Sequence, residues 1–462
     1  MGIKLQVLSE EKIKKVHDRT VRILEEAGVC VKSKRAREAL LKAGAIAGEG
    51  EIIKIPETLL NKSLETAPKS FVLGARNPEY DFNMPAEKPG HILDGITTAI
   101  VDLKTGKRRP SNKADVTALG RVFQSLETGA VAWSGTSAMD KPPETHCLHE
   151  FAAILEGTSK HIQFELRHDG ESPYAIEILR AILGSDEAIR QRKIASVLYC
   201  PISPLSHDDS MLDAYLALTD YEVPVAAYPM PIMGLTSPAS VFSTLCQINA
   251  ETLSALVIFQ AVKPGLPVIY GSCSGSMDPM TGDYVDGQET VLLSMSAVEM
   301  ARYYDLPCQV TGADYQTIST YLMWPDLIDG FGTSDEGTTS EMELMVVQDE
   351  VAKQIFRIME GVDFGDDKDL TDDIISRGPQ GSFISCKSTK RIIREGTEIY
   401  SSEVFPESQQ NEYEDEDDPM WEIAHEYVEE LLAGPVEDAI PAETLTKINE
   451  ICNKADKNLA GV

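Results

Sequence analysis

Aromatic and acidic side chains recur in this chain where predicted β-strands end. They are Trp133, Glu165, Tyr199, Tyr228, Tyr270, Asp314, Tyr315 and Phe331. Aromatic faces and carboxylates are suited to binding a cation. Strand alternation buries about half of such aromatic positions against helices, so core packing explains any one of them equally well. For Asp314 the alternative is a turn residue that caps the next helix.

The sequence gives less evidence for a metal site or a phosphate site. The eight His include no His-x-His pair, and His146 with His149 beside Glu150 is better explained as a pair on one helix face. Residues 278–289 carry several carboxylates, but their spacing fits no calcium-binding loop. The Gly-rich turn at 271–276 lacks the Gly-Lys-Ser/Thr ending of a phosphate loop. We therefore expect no tightly bound metal in this chain.

The elements that position these residues are predicted strand-helix units. VPVAAYPMPIMG, LPVIYGSCSG and LPCQVTGADY, between Val223 and Tyr315, are separated by long helical patterns such as 238–263. The same rhythm at 130–137, 161–166, 194–201 and 326–334 gives seven strands, and 71–76 or 96–101 could supply an eighth. This pattern favours a closed (β/α)8 TIM barrel over an open doubly wound sheet, with the chemistry at the carboxyl ends of its strands.

The flanking segments predict two further regions. Residues 1–110 form an N-terminal region, with a helix from Ser9 to Ala27 and a hairpin around the Lys-Thr-Gly turn at 104–106 that closes one barrel end. Residues 111–385 form the barrel. Residues 386–462 form a C-terminal helical extension that contains an amphipathic helix at 421–434.

Composition narrows the class of protein. The 462 residues accommodate a barrel of about 250 to 300 residues with added segments. The formal net charge of -32 makes nucleic acid and anionic membranes poor partners, and the acidic run at 412–418 is interpreted as a solvated loop. Eight cysteines without a Cys-x-x-Cys pair indicate reduced thiols. Since no signal-like or membrane-spanning stretch is evident, we expect a cytoplasmic protein.

Four segments together resemble the trimethylamine methyltransferase family of corrinoid-dependent enzymes. They are YPMPIMGLTSPAS, PVIYGSCSGSMDPMTGDY, GQETVLLSMSAVEMARYYDLP and LIDGFGTSDEGTTSEMELMVVQDEV. The resemblance extends to the N-terminal helix, to ILDGITTAIVDLKTGKRRPSNKADV and to the C-terminal helices, so it covers nearly the whole chain. It implies a (β/α)8 barrel and a homo-oligomer. It also implies methyl transfer from a methylated amine to Co(I) of a cobalamin-type corrinoid, which a small separate protein carries.

One residue divides this family. Its trimethylamine-specific members carry pyrrolysine in a Val-x-Gly-x-pyrrolysine context, and the matching segment here, Val310 to Tyr315, places Asp314 at or beside that position. Members without pyrrolysine resemble demethylases of quaternary amines such as glycine betaine, carnitine or proline betaine. A quaternary amine releases a neutral tertiary amine, so direct attack by Co(I) needs positioning and desolvation rather than a general acid.

The resemblance suggests roles for the candidate residues. Asp314 is the predicted catalytic residue. The predicted amine-binding residues are Trp133, Glu165, Tyr199, Tyr228, Tyr270, Tyr315 and Phe331. Gly271, Met230 and Met277 are predicted to face the corrinoid, although filling of the core is the alternative for the two Met side chains.

The sequence departs from the family after Tyr315. It lacks the family's Ser-Asp-x-Lys and the helix that follows, and only QTISTYLMWP precedes the next strand. A parallel crossover takes about 10 to 12 residues, so one barrel unit is predicted to be compressed beside the substrate site. We expect a corrinoid-dependent methyltransferase that acts on a quaternary amine, with glycine betaine ahead of carnitine and proline betaine. A non-catalytic betaine-binding or regulatory homologue and a metal-dependent barrel hydrolase are the alternatives.

Overall fold

Eight parallel strands close into a barrel in the computed structural model, which describes residues 4–312, 318–396, 398–399, 402, 404–405 and 419–461. The strands are β1 Gly90–Leu93, β2 Gly129–Ala132, β3 His161–Phe164, β4 Ala195–Tyr199, β5 Val225–Ala227, β6 Val268–Ser272, β7 Cys308–Thr311 and β8 Leu327–Phe331. Each strand pairs with the next along the chain, and β8 pairs with β1. Most are short runs of Val, Ile, Leu and Ala that are buried on both faces, as parallel strands require. The predicted fold class is confirmed.

The first barrel strand, β1, is not one of the two predicted candidates. Phe71–Leu73 pairs antiparallel with Phe82–Met84, and Ala99–Asp102 belongs to a separate four-stranded sheet. The prediction was wrong because Phe-Val-Leu and Ala-Ile-Val have a stronger strand propensity than Gly-His-Ile-Leu. The position of β1 also lies inside the segment that was assigned to the N-terminal region.

Helices surround the barrel. The α-helices are Glu10–Arg22, Lys34–Ala43, Glu57–Thr66, Lys113–Ser125, His146–Gly157, Ser172–Leu183, Asp186–Arg192, Ser210–Leu218, Val241–Val262, Gln288–Tyr303, Ile318–Tyr321, Met342–Glu360, Thr371–Arg377, Lys387–Glu395, Pro419–Ala433 and Ala442–Ala455. Val241–Val262 is long and apolar enough to cross a membrane, but 83% of its apolar window is buried inside the protein. It packs against the helices Glu10–Arg22, Lys34–Ala43 and Glu57–Thr66, so it is a core helix.

The two ends of the barrel differ. The hairpin Phe71–Leu73 with Phe82–Met84 closes the amino end, because Leu73 and Met84 join the apolar cluster inside the barrel. The hairpin Ala99–Asp102 with Lys107–Pro110 is the predicted one, and it pairs with Thr339–Ser340 after β8 at the carboxyl end. A second small sheet at that end joins Ile232–Met233, Gly275–Met277 and Tyr284–Val285. A sheet of Val29–Val31, Ile46–Ala47, Ile52–Lys54 and Ser206–His207 lies outside the barrel.

The connection between β7 and β8 runs from residue 312 to residue 326, and residues 313–317 lie outside the described part, so a compressed or replaced unit stays a prediction. Its described part holds one four-residue helix, Ile318–Tyr321. The Tyr321 hydroxyl lies 2.8 Å from Nε2 of His91, and the amide of Leu5 donates to the carbonyl of Leu322 at 2.9 Å. Contacts with β1 and with the N-terminal segment therefore hold the described part of this connection against the barrel.

Several smaller predictions can be compared with the structure. The helix that begins after Ser9 continues through a π-helical turn, Ile23–Ala27, and ends at Gly28 with φ +74°. The amphipathic C-terminal helix is Pro419–Ala433. All eight cysteines lie in the described part of the chain, and none is paired there. The acidic run 412–418 lies outside the described residues.

Candidate active site in the barrel mouth

Alternate residues of the barrel strands face its interior. Six strands contribute to one buried cluster, through Ile92, Val131, Leu198, Ala226, Ile269 and Leu327. The remaining two strands contribute Gln163 and Gln309, whose side-chain amides are joined at 3.1 Å. Because side chains alternate with a period of two, the residues two positions further on face the same side at the carboxyl end. This mouth layer consists of Asp94, Trp133, Glu165, Cys200, Tyr228, Gly271, Thr311 and Asp329.

Parts of the mouth layer remain accessible to solvent. Asp94, Glu165 and Cys200 are only half-buried, although each directly follows or ends a fully buried strand. Tyr284, from the small sheet above the mouth, is half-buried as well. A ligand at the carboxyl end of the barrel can therefore reach these groups.

Two carboxyl groups meet in the mouth layer. Asp94 follows β1 and Asp329 lies in β8, and the two carboxyl groups are close enough to shift each other's pKa. Asp94 also accepts hydrogen bonds from Thr333 Oγ1 at 2.8 Å and from the Gly95 amide at 2.9 Å. Burial raises the pKa of Asp94, and burial together with the charge of Asp94 raises the pKa of Asp329 well above its usual range. The charge of each carboxylate therefore disfavours ionisation of the other, which favours a single proton shared by the pair.

Glu165 adds a third carboxyl group to the mouth. Burial, and after it the nearby charge of Glu150, raises its pKa to about 8. Within the described part of the chain, none of Asp94, Glu165 and Asp329 forms an ion pair with Lys or Arg. Arg167 lies two residues beyond Glu165, is exposed, and weakly opposes the rise in the pKa of Glu165. The layer thus holds acidic groups without a matching cation.

Aromatic rings in the mouth lie against glycines. A Cβ atom on Gly271 would come within 2.5 Å of the Tyr228 ring, and one on Gly95 within 3.0 Å of the Trp133 ring. Both rings are almost fully buried. Trp133 Nε1 has no hydrogen-bond partner in the described part of the chain, and the Tyr228 hydroxyl lies close enough to Asp329 for that carboxyl group to raise the pKa of Tyr228 further after burial. These glycines fix the positions of two rings beside the carboxyl pair.

Two thiols complete the surroundings of the carboxyl pair. Burial raises the pKa of Cys200 and of Cys273, and the charges of Glu165 and Asp329 add to the rise for Cys200. Both thiols therefore stay protonated at neutral pH, which makes them weak nucleophiles. Their role here is to line the space.

The structure brings four of the predicted site residues together. Trp133, Glu165, Tyr228 and Gly271 all lie in the mouth layer. For Gly271, the close approach of Tyr228 already explains the absence of a side chain. Asp314 and Tyr315 lie outside the described residues, so their roles stay predictions.

Three predicted aromatic residues face the surrounding helices instead. The Tyr199 hydroxyl lies 2.8 Å from Nδ1 of His207, and the Tyr270 hydroxyl donates to Asn249 Oδ1 at 2.9 Å. Each is one position away from a residue of the mouth layer, so alternation turns it outward. Phe331 stacks on His91 with ring centroids 4.0 Å apart, because the strand register shifts after Ile328.

The two predicted Met residues lie above the mouth. Met277 ends a strand of the small sheet and is half-buried, and Met230 precedes that sheet and is 41% exposed. Leu235 and Met280, in the neighbouring loops, are also exposed. These four residues form an apolar rim on one side of the opening.

Other polar features give no competing site. His149 Nε2 lies 3.0 Å from Asp456 Oδ1, which explains that histidine as a contact with the C-terminal helix. Among the described residues, no group of three His, Cys, Asp or Glu is placed to hold a metal ion. Two clefts between outer helices are lined largely by charged side chains such as Glu177 and Arg180, and neither contains a residue of the mouth layer.

The sequence analysis missed Asp94, Cys200 and Asp329. A signal for the carboxyl pair was present, because ILDG at 92–95 and LIDG at 327–330 repeat one pattern in which Asp-Gly follows a buried apolar run. A charged residue at the end of such a run marks the carboxyl end of a parallel strand.

Comparisons with known proteins find a matching family and relatives that cover most of the chain. The family model "Trimethylamine methyltransferase (MTTB)" matches residues 3–460. The trimethylamine methyltransferase MttB of Desulfitobacterium hafniense (strain DSM 10664 / DCB-2) is 27% identical over 402 residues, which cover 83% of this chain and 81% of that protein. The glycine betaine methyltransferase of Desulfitobacterium hafniense (strain Y51) is 24% identical over 475 residues, 99% of this chain and 98% of that protein. The solved monomethylamine methyltransferase of Methanosarcina barkeri has a TM-score of 0.44 at 12% identity, with 97% of each chain covered.

Proposed function

Because the chain belongs to the trimethylamine methyltransferase family of corrinoid-dependent enzymes, we propose that it transfers a methyl group from a quaternary amine to Co(I) of a corrinoid protein. Glycine betaine is the substrate we favour, ahead of carnitine and proline betaine. The observation that carries the proposal is the mouth layer, where buried aromatic rings and carboxyl groups without a cationic partner line an accessible space. The similarity to a glycine betaine methyltransferase along 99% of the chain supports the choice of substrate.

The mouth layer has the chemistry that a quaternary ammonium group requires. Such a group cannot donate hydrogen bonds, so it is held by aromatic faces and by negative charge. Trp133 and Tyr228 supply the rings, and the pair of Asp94 and Asp329 supplies the charge in a partly desolvated place where it is weakly screened. The sequence contains no pyrrolysine, and a quaternary amine needs no covalent activation.

Methyl transfer then depends mainly on position. The corrinoid supplies Co(I) as the nucleophile, and the electron pair of the broken C–N bond stays on the departing tertiary amine. Asp94, held by Thr333 and the Gly95 amide, keeps the positive nitrogen in place without forming a bond to it. Burial of Trp133 and Tyr228 excludes water from the side of the nitrogen opposite to the opening.

Glycine betaine also carries a carboxylate, which needs a binding position of its own. It would be repelled by the negative charge of Asp94 and Asp329, so we place it toward Arg167, the exposed cation that lies nearest in sequence to Glu165. This placement gives Arg167 a part in selecting betaines over amines that lack a carboxylate.

The rim of the mouth suits a corrinoid carried by another protein. Met230, Leu235, Met277 and Met280 present flexible apolar side chains, which adapt well to a large ring. On another side of the opening, the turn between Thr333–Ser334 and Thr339–Ser340 exposes Asp335 and Glu336. We propose that the protein works in the cytoplasm as a homo-oligomer.

The decisive experiment measures methyl-Co(III) formation from its visible spectrum. The purified protein is mixed with Co(I) cobalamin, free or bound to its carrier protein, and with glycine betaine, carnitine, proline betaine, choline or trimethylamine. Methylation from one quaternary amine supports the proposal. Turnover of trimethylamine alone contradicts it, and tight binding of a betaine without methyl transfer establishes the non-catalytic alternative.

A further inference from the structure

Residues 361–396, which we call the arm, leave the barrel after the helix Met342–Glu360. The arm contains the helices Thr371–Arg377 and Lys387–Glu395. No arm side chain belongs to the hydrophobic core of the described protein, and only Cys386 and Ile392 are buried. Neither helix packs extensively on a described element of the barrel.

The arm nevertheless has its own internal contacts. Ser388 hydrogen-bonds to Asp373, and Arg377 Nε lies 3.2 Å from Cys386 Sγ. The Arg391 guanidinium donates to the Asp367 carbonyl at 3.3 Å. These bonds hold the two arm helices together, so the arm presents a defined surface.

That surface is unusually apolar. Seven large apolar side chains of the arm are exposed, namely Val362, Phe364, Ile374, Ile375, Phe383, Ile384 and Ile393, with Phe364 at 90% and Ile384 at 81% exposure. Together these side chains expose on the order of 800 Å², which is comparable to one partner's share of a standard interface.

The charges of the arm are divided between its two halves. Residues 363–373 carry six Asp and one Lys, whereas residues 377–394 carry five Lys and Arg and no acidic residue. Lys387, Lys390 and Arg394 have no ion-pair partner among the described residues, and neither have Asp366 and Asp372. The arm is therefore close to neutral in a chain of net charge -32.

We propose that the arm is the interface between two copies of this chain, related by a twofold axis that sets the acidic half of each arm against the basic half of the other. A twofold contact requires one surface to be complementary to itself, and an apolar surface flanked by opposite charges meets that requirement. Elsewhere the strongly acidic surfaces of two copies repel each other. This inference does not rest on the proposed enzymatic function, and the arm contains no residue of the mouth layer.

The test uses sedimentation velocity of the full chain at micromolar concentration. We expect the wild type to associate, and the mass of a single chain would overturn the proposal. One double variant, Lys390→Glu with Arg394→Glu, leaves residues 377–394 with three basic and two acidic side chains, and a second, Asp366→Lys with Asp372→Lys, leaves residues 363–373 with four acidic and three basic side chains. Each variant alone is expected to dissociate at least a hundredfold more readily than the wild type.

Mixing the two double variants provides the sharper result. The acidic arm of one then faces the basic arm of the other, so the mixture is expected to associate although each component alone does not. A mixture that stays dissociated refutes the twofold pairing. The matched control, Lys42→Glu with Lys62→Glu, changes the net charge equally on helices outside the arm, and it is expected to associate like the wild type. Far-ultraviolet circular dichroism establishes that the variants are folded, and dissociation of the control to the same extent would show that net charge rather than the arm decides association.

Discussion

Replacing the two shared carboxyl groups separately and together distinguishes a proton-sharing pair from two independent charges. We expect Asp94 and Asp329 to share one proton and one negative charge, because the charge of each carboxylate raises the energy of ionising the other. Asp329→Asn leaves Asp94 ionised and held by Thr333, and Asp94→Asn allows Asp329 to ionise when a cation is bound. Either single variant therefore keeps the charge that attracts the amine.

The size of the effect follows from Coulomb's law. The methyl groups keep a quaternary nitrogen about 5 Å from a carboxylate oxygen, where one unit charge is worth about 3 kcal/mol at an effective dielectric constant of about 20. Because the mouth is open to water on one side, we expect the double variant to lose roughly tenfold to a hundredfold in affinity. Each single variant is expected to lose less than about threefold, since one carboxylate remains.

Isothermal titration calorimetry with glycine betaine and with tetramethylammonium at pH 7 measures these affinities. Glu336→Gln is the control, because this exposed acid lies near Tyr284 but is screened by solvent, and its change is expected to be less than about twofold. Unchanged affinity in the double variant would remove the pair from the amine site. Losses that add equally from the two single variants would refute the shared proton.

Three further predictions concern the same region. Glu165→Gln is expected to stabilise the protein more at pH 8 than at pH 5, by about 1 to 3 kcal/mol in chemical denaturation. The reason is that Glu165 in the folded protein keeps its proton up to a pKa of about 8, whereas in the unfolded chain it releases that proton near pH 4.5. The free energy of unfolding of the wild type therefore falls as the pH rises across this window. Equal gains at both pH values would contradict the titration of a buried Glu165. Arg167→Gln is expected to raise KM for glycine betaine about fivefold to twentyfold and to leave KM for choline unchanged, because only the betaine has a carboxylate to be paired; parallel changes would show that Arg167 does not recognise that group. Gly271→Ala is expected to lower the free energy of unfolding by about 1 to 3 kcal/mol and to weaken amine binding, because the new methyl group meets the Tyr228 ring and the Ala227 carbonyl at 2.5 and 2.4 Å. The control Gly287→Ala meets only Glu289 Oε2 at 3.4 Å and should unfold like the wild type in thermal denaturation, whereas equal behaviour of the two variants would refute the role of the close contact.

The rhythm of strands and helices was readable because buried parallel strands are apolar on both faces, as β4 and β5 are. That same property hid which residues face the interior. In β4, Tyr199 and Cys200 differ by one position, and an apolar run with no alternation does not reveal which of them points inward. The sequence analysis predicts Tyr199 as the site residue because an aromatic ring can bind a cation, but in the structure Tyr199 faces the surrounding helices.

The position of β1 was not readable for a related reason. Its four residues include Gly and His, and the space around Gly90 is filled by Phe82 and Ala130, a close contact between distant parts of the chain. Because β1 was predicted at the wrong place, Asp94 could not be recognised as a residue at a strand end. The pairing of Asp329 with Asp94 could therefore not be predicted either. Local propensity does not contain such long-range contacts.

The hairpin of Phe71–Leu73 and Phe82–Met84 closes the amino end of the barrel. In the described structure, ligands therefore reach the barrel through the mouth at the carboxyl end. A small methyl donor and a large methyl acceptor that use the same opening cannot bind in either order, because the bound acceptor blocks the entry of the donor. In the proposed reaction, the small amine enters before the corrinoid protein docks at the mouth, and the demethylated amine leaves after that protein dissociates. Such an enzyme is expected to show compulsory-order kinetics with inhibition by an excess of its carrier protein, and release of the carrier can then set the pace of turnover.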